Sequence, residues 1–165
     1  MVEAYIAFGS NIGDREANIN DTFELLKQKM KVLKLSALYE TKPMYVEEQG
    51  WFLNGVVKVE TKLTPKELLL FLKDIEQKLG RKSGARNGPR IIDLDILFYG
   101  SHIVNEKDLH VPHPKMGERA FVLVPLAEIA ADLVHPVNHK TVSELLTQLD
   151  YDVSEIKLKK TSWMA

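Results

Sequence analysis

Two carboxylates two positions apart, Asp93 and Asp95, sit inside the otherwise apolar run Ile91-Ile-Asp-Leu-Asp-Ile-Leu-Phe-Tyr99. In an extended strand, alternate side chains share a face. That puts Ile92, Leu94, Ile96 and Phe98 on a core-facing side, and Ile91, Asp93, Asp95, Leu97 and Tyr99 on the other. The carboxylates then stand side by side, roughly 7 Å apart at the strand's rise per residue. Partly desolvated like charges repel unless cations occupy the gap. Mg²⁺ suits such a place, because it takes oxygen ligands and commonly combines one or two carboxylates with water and substrate phosphates. Taken alone, Asp-x-Asp is short and common, and it reads more readily as a solvated sheet face or as a partner of nearby arginines; the arginine loop and the apolar bracket turn it toward metal.

The segment just before it is Gly80-Arg-Lys-Ser-Gly-Ala-Arg-Asn-Gly-Pro-Arg90. Arginine presents a forked, permanently charged donor set matched to phosphate oxygens. Arg81, Arg86 and Arg90 therefore suit the opposite side of a polyphosphate held by the carboxylates, and Gly84 and Gly88 suit a loop that closes over a substrate. Without the acidic strand, the same loop reads as ordinary solvated surface. Gly9-Ser-Asn-Ile-Gly13 lacks the Gly-Lys-Ser/Thr ending of a phosphate loop and reads as a structural turn.

Composition bounds the rest. A chain of 165 residues fits one domain, taken here as 1–165, and buries enough surface to need no disulfide. It has no cysteine, which removes thiol nucleophiles and Cys-ligated zinc, and its net charge of −1 argues against a nucleic-acid partner. Apolar runs such as 121–125 fall far short of a membrane span, and the first residues carry no secretory pattern. A cytoplasmic protein with no membrane partner is expected.

The elements that must hold these groups follow from periodicity. Residues 4–8 read as a strand, and Asp14 caps a helix with Ile19, Phe23, Leu26 and Met30 on one stripe. A strand over 32–39 closes at Lys42-Pro43, and another covers 52–61. Thr64-Pro-Lys-Glu67 is a capping box that opens a helix with Leu68, Leu72, Ile75 and Leu79 inward and Gly80 at its end. A strand over 91–99 follows, then a partly helical 122–131 and a second capping box, Thr141 to Glu144. The order β-α-β-β-α-β predicts an α+β, ferredoxin-like core with a mostly antiparallel sheet, its helices on one face. Further C-terminal elements on the other face would complete an α/β/α sandwich.

Taken together, the segments resemble the 6-hydroxymethyl-7,8-dihydropterin pyrophosphokinase family. The resemblance is carried by Ala4 to Asp14, Tyr39-Glu-Thr41, Trp51-Phe-Leu-Asn54, Gly88-Pro-Arg-Ile-Ile-Asp-Leu-Asp-Ile-Leu97, Val111-Pro-His-Pro114, Arg119-Ala-Phe-Val-Leu123 and Pro125-Leu126. It implies transfer of the β,γ-diphosphate of ATP to a pterin hydroxymethyl oxygen, with release of AMP. It also implies two Mg²⁺ ions on Asp93 and Asp95, with Arg81 and Arg90 as catalytic contacts to the phosphates. Glu76, Ile96, His113 and Arg119 are implied at the ATP site. Phe52 and Phe121 are implied to sandwich the pterin, with Asn54, Thr41, Lys42, Pro43 and Met44 along its edge. By themselves, Phe52 and Phe121 read as core aromatics, His113 as a turn cap and Asn54 as the partner of a strand bulge.

Ser83 stands where many members carry a second loop arginine, and Asn87 where a tryptophan is common. Asp108 and His110 also depart from the family pattern. The sequence leaves a monomer or a homodimer open. A small-ligand regulatory module, an RNA-binding domain of the same element order and an ADP-releasing kinase remain the rival readings.

Overall fold

β1 (Val2–Ser10) alternates buried Ala4, Ile6 and Phe8 with side chains on its other face, and it becomes the second strand of the sheet. The computed structural model describes residues 1–43, 50–80 and 91–163. The expectations placed on Met44, Arg81, Ser83, Arg86, Asn87 and Arg90 lie outside those residues. Asp14 caps α1 (Arg15–Leu26) by accepting the Ala17 N–H at 3.1 Å, and Ile19, Phe23 and Leu26 are buried as the stripe requires. Met30 is not on that stripe. The helix ends at Leu26, and Met30 opens β2 (Met30–Leu35).

The single strand expected over 32–39 is broken in two. β2 and β3 (Leu38–Thr41) both pair antiparallel with β4 (Phe52–Thr61), and the chain kinks between them at Ser36-Ala37. The hydroxyl of Ser36 accepts the Val56 N–H at 2.9 Å and donates to the Ala37 carbonyl at 2.8 Å, which holds the kink from inside the core. The capping box at Thr64 forms as read, and α2 (Pro65–Lys78) buries Leu68, Leu72 and Ile75. Gly80 follows at φ +92°, the left-handed conformation that ends helices and favours glycine.

β5 (Asp93–Tyr99) lies at the open edge beside β1. Its alternation is not regular throughout, because Ile6 pairs with Ile96 while Tyr5 pairs with Phe98, leaving Leu97 as an extra residue. This bulge reverses the phase beyond it. Phe98, expected on the face of the first two helices, packs instead with Tyr5 and Val56 on the other. Tyr99, expected beside the carboxylates, joins the first face and donates its hydroxyl to the Leu63 carbonyl at 2.6 Å. The bulge comes after Asp95, so the carboxylate pair keeps its expected face.

Beyond β5, a hairpin of β6 (Val104–Glu106) and β7 (Leu109–Val111) precedes α3 (Ala120–Ala130) and α4 (Val142–Gln148). β8 (Ile156–Lys160) then adds to the far edge, giving the order β5-β1-β4-β3-β8 with β2 also on β4. The hairpin and β8 have weak sequence signals, and neither was expected. α1 and α2 cover one face of the sheet, and α3 and α4 cover the other. The α+β sandwich is therefore as read. Near the chain's end, Trp163 packs its ring 5.7 Å from Phe8 and 5.3 Å from Phe23, and its indole N–H donates to the Ser36 carbonyl at 3.0 Å. Among the described residues no helix is long and apolar enough to cross a membrane.

Candidate active site

Strand register collects the polar groups. Asp93 on β5 lies opposite Gly9 on β1, Gly9 opposite Asn54 on β4, and Asn54 opposite Tyr39 on β3. The neighbouring row runs Asp95, Ala7, Val56. Cross-strand partners share a face, so Asp93, Asp95, Asn54, Phe52 and Thr41 all look to the side covered by α3. They sit at one end of the sheet, where β3 ends, β4 begins and β5 begins. Two strand spacings separate the Asp93 and Asn54 positions, about 10 Å at the usual inter-strand distance.

Gly9 makes this row possible. A Cβ there would collide with the Asn54 amide nitrogen and come within 3.3 Å of the Phe52 ring. Without that Cβ, the Asn54 side chain lies across the strand, where its amide donates to the Phe8 carbonyl at 3.4 Å and its oxygen accepts the Thr41 hydroxyl. Asn54 and Thr41 are both buried, while Phe52 and Phe121 are partly exposed. Thr41, Lys42 and Phe121 line a cavity of about 210 Å³ that Tyr151 and Glu155 close from the C-terminal side. Lys42 is held there by its N–H to the Glu155 carbonyl at 3.0 Å and by an ion pair with the Glu155 carboxylate at 3.6 Å. Pro43 beside it is buried.

Asp93 and Asp95 are half-buried on β5. Glu76, expected to border a nucleotide, turns out to be a buried strand clamp whose carboxylate accepts the Leu94 N–H at 2.9 Å. That bond lies between the two aspartates and satisfies an outward donor of the edge strand, which would otherwise be unpaired in the interior. A charged residue next to the apolar stripe of α2 was the available signal. The Ile96 side chain packs among the first helices and is buried. Its backbone groups, in phase with Leu94, face off the open edge of β5.

His113 is fixed along the same edge by its N–H to the Leu97 carbonyl at 3.1 Å. Burial, with Arg119 and Lys115 nearby, lowers its pKa to about 4 against a partial opposing pull from Asp93. Its Nδ1 accepts the Lys115 N–H at 3.1 Å, so the neutral ring carries its proton on Nε2 and can donate from there. The folded pKa lies below the ordinary 6.5, so the unfolded chain takes up this proton first as pH falls. His113 therefore contributes stability that is full above about pH 6.5 and is lost as pH drops toward 4. In the ligand-free protein, the ring proton signals of His113 should titrate near 4; a midpoint at or above 6 contradicts this burial. Arg119 places its guanidinium carbon 5.6 Å from the centre of the Phe121 ring.

Two further residues went unread in the sequence. The Asn11 amide donates to the Gly50 carbonyl at 3.1 Å, and Arg15 donates to the Trp51 carbonyl at 2.9 Å while pairing with Glu40 at 2.6 Å. The turn read over Gly9 to Gly13 starts later, since Gly9 and Ser10 still belong to β1, and through Asn11 it anchors the approach to β4. Among the described residues no three His, Asp or Glu side chains converge as a metal cage. Asp93 and Asp95 supply two hard oxygen ligands on one face, a set that fits Mg²⁺ completing its shell with phosphate oxygens and water.

A family model for 7,8-dihydro-6-hydroxymethylpterin-pyrophosphokinase (HPPK) matches residues 5–131. The chain is 50% identical over 128 residues to the 2-amino-4-hydroxy-6-hydroxymethyldihydropteridine pyrophosphokinase of Bacillus subtilis, covering 76% of this chain and 77% of that protein. Against the enzyme of the same name from Aquifex aeolicus, identity is 42% over 144 residues, covering 87% of this chain and 90% of that one. The folic acid synthesis protein fol1 of Pneumocystis carinii is 47% identical over 154 residues, and the chain spans 21% of its length. The crystal structure of Plasmodium falciparum HPPK-DHPS with SDX-DHP superposes at a TM-score of 0.72 with 18% identity, over 90% of this chain and 43% of that one. That last likeness speaks to fold alone.

Proposed function

Because the chain belongs to the 7,8-dihydro-6-hydroxymethylpterin-pyrophosphokinase family, we propose that residues 1–165 act as one domain transferring the β,γ-diphosphate of ATP to the hydroxymethyl oxygen of 6-hydroxymethyl-7,8-dihydropterin. The observation that carries this reading is the row Asp93–Gly9–Asn54. It sets a carboxylate site and an acceptor-reading amide about two strand spacings apart at one end of the sheet. That span accommodates a flat ring at Asn54 and a phosphate chain at Asp93 and Asp95.

Asp93 and Asp95 would hold Mg²⁺, two ions in this reading, which supply charge neutralisation on the triphosphate. Arg81 and Arg90 would meet the phosphates from the other side. The Nε2–H of His113 and the Arg119 guanidinium would donate to the nucleotide, and the Ile96 backbone would meet its base. Glu76 would border the nucleotide site from α2 while it holds the β5 strand at Leu94. Phe52 and Phe121 would enclose the pterin, while Asn54, Thr41 and the backbone from Lys42 through Pro43 to Met44 read its edge. The hydroxymethyl oxygen forms a bond to the β-phosphorus, and the bond from that phosphorus to the α,β-bridging oxygen breaks. AMP leaves, and the hydroxyl proton passes to solvent. Catalysis of this kind is mostly alignment and electrostatics.

Incubating the protein with MgATP and the hydroxymethyl dihydropterin should yield AMP and the diphosphorylated pterin in equal amounts. ADP as the nucleotide product would reassign the protein to simple phosphoryl transfer. Absence of any product would leave only a binding module.

A further inference from the structure

α3 lies against β3, with a cavity between them at one end and a polar contact at the other. At one end, Phe121 and Thr41 line the same cavity. At the other, both carboxylate oxygens of Glu128 accept the Ala37 N–H, at 3.1 and 3.0 Å, and one accepts the Tyr39 hydroxyl at 2.6 Å. Phe121 and Glu128 are seven residues apart, so they share a helix face about 10 Å apart along the axis. From Ala37 to Thr41 an extended chain covers a similar distance, about 13 Å. Helix and strand therefore run alongside each other, pinned at the Glu128 end and parted by the cavity at the Phe121 end.

The pin at Glu128 has a specific task. The kink at Ser36-Ala37 takes the Ala37 N–H off the sheet ladder, and Glu128 is its acceptor. Pro125 lies between Phe121 and Glu128. It has no N–H, so the Phe121 carbonyl cannot receive the helix bond from position 125. The turn carrying Phe121 is thus joined to the rest of α3 by a weakened ladder, and a fixed point beyond the proline sets where the helix lies. Burial and the Glu128 carboxylate raise the Tyr39 pKa above its ordinary value, so the hydroxyl keeps its proton. Tyr39 also stands opposite Asn54 in the strand register. Arg119 is tied down separately, through its N–H to Met116, then Met116 to His113 and His113 to β5.

We propose that Tyr39 and Glu128 are positioning residues for the acceptor pocket, fixing α3 on β3 so that Phe121 faces Thr41 and Asn54 at the spacing a flat heteroaromatic ring requires. The inference rests on the reading of Phe121 as a wall of that pocket. Neither residue touches the ring or the reacting atoms, so their loss acts on acceptor affinity and spares the chemical step.

The test compares Tyr39→Phe, Glu128→Gln, Glu128→Ala and the double variant Tyr39→Phe/Glu128→Ala. Glu128→Ala and Tyr39→Phe should each raise KM for the pterin about tenfold, the size of one charge-assisted hydrogen bond, with kcat and KM for ATP within about twofold of native. Glu128→Gln should stay closer to native, because its amide oxygen still accepts. The double variant should be no worse than Glu128→Ala, which already removes the Tyr39 contact together with the one to Ala37. Equilibrium binding of the pterin, followed by its own fluorescence, should rank the variants identically without turnover. An unchanged pterin KM, or parallel rises for ATP and pterin, overturns the positioning role. If Glu128→Ala fails to fold, the isosteric Tyr39→Phe and Glu128→Gln decide. A native protein that binds the pterin but makes no AMP sinks the transferase reading alone; one that binds no pterin sinks both.

Discussion

Replacing Asp95 by alanine should lower kcat for AMP release by about three orders of magnitude while leaving the melting temperature within a few degrees of native. The first half follows from what a metal ligand contributes. A bound divalent ion is worth several kcal/mol of transition-state charge stabilisation, and about 4 kcal/mol corresponds to a thousandfold in rate. The second half follows from position. Asp95 is half-buried on an edge strand, and its backbone partners in β1 do not depend on its side chain. Asp93 lies on the same face two residues away, so removing one carboxylate also removes a like-charge repulsion. Steady-state AMP production and calorimetry on the same preparation check both halves. A variant that folds normally and keeps a tenth of native turnover would remove Asp95 from the metal site.

The largest stability effect is expected at Gly55. Its cross-strand partner is Phe8, whose ring lies directly over the glycine. A Cβ added there overlaps the Phe8 Cζ, comes within 2.9 Å of Cε1, and meets the Ser36 hydroxyl at 3.0 Å. The ring has no easy retreat, since Phe23 packs against it at 5.2 Å and Trp163 at 5.7 Å, and Phe8 is only 1% exposed. Overpacking of this kind costs about 1–3 kcal/mol, against roughly 0.5 kcal/mol regained by restricting the unfolded chain. Gly55→Ala should therefore lower the melting temperature by about 3–6 °C for a chain of this size. Combining it with Phe8→Leu should cost less than the sum of the two single changes, because the collision is then relieved. Strict additivity would show that the ring and the glycine do not meet.

Much of the scaffold was legible because it is local. Thr64 and Thr141 announce their capping boxes within four residues, and both form. The faces of Asp93 and Asp95 needed only the two-residue period of a strand. Long-range contacts were not legible. Nothing near Leu97 signals that one extra residue faces Tyr5 and Ile6 and turns Phe98 and Tyr99 over. Glu76 and Glu128 are carboxylates whose acceptor roles belong to backbone N–H groups far away in sequence, at Leu94 and Ala37. β8 was missed because Ile156-Lys-Leu-Lys-Lys160 alternates lysines with few apolar residues. Such lysines suit an outer strand, where they discourage pairing with other chains. Within the site, Asn54 and Phe52 were named through resemblance; the room they occupy, opened by Gly9, is visible only in three dimensions.

The contact between Trp163 and the kink at Ser36 joins positions 127 residues apart. A ribosome adds about 5–20 residues per second, so the earlier partner waits on the order of ten seconds before the later one exists. Throughout that interval Phe8 and Phe23 lack the indole that packs against both of them. The nascent chain therefore emerges with an aromatic notch uncovered, and it carries this liability during the time when cellular holding factors act. Synthesis of Trp163 supplies the stopper.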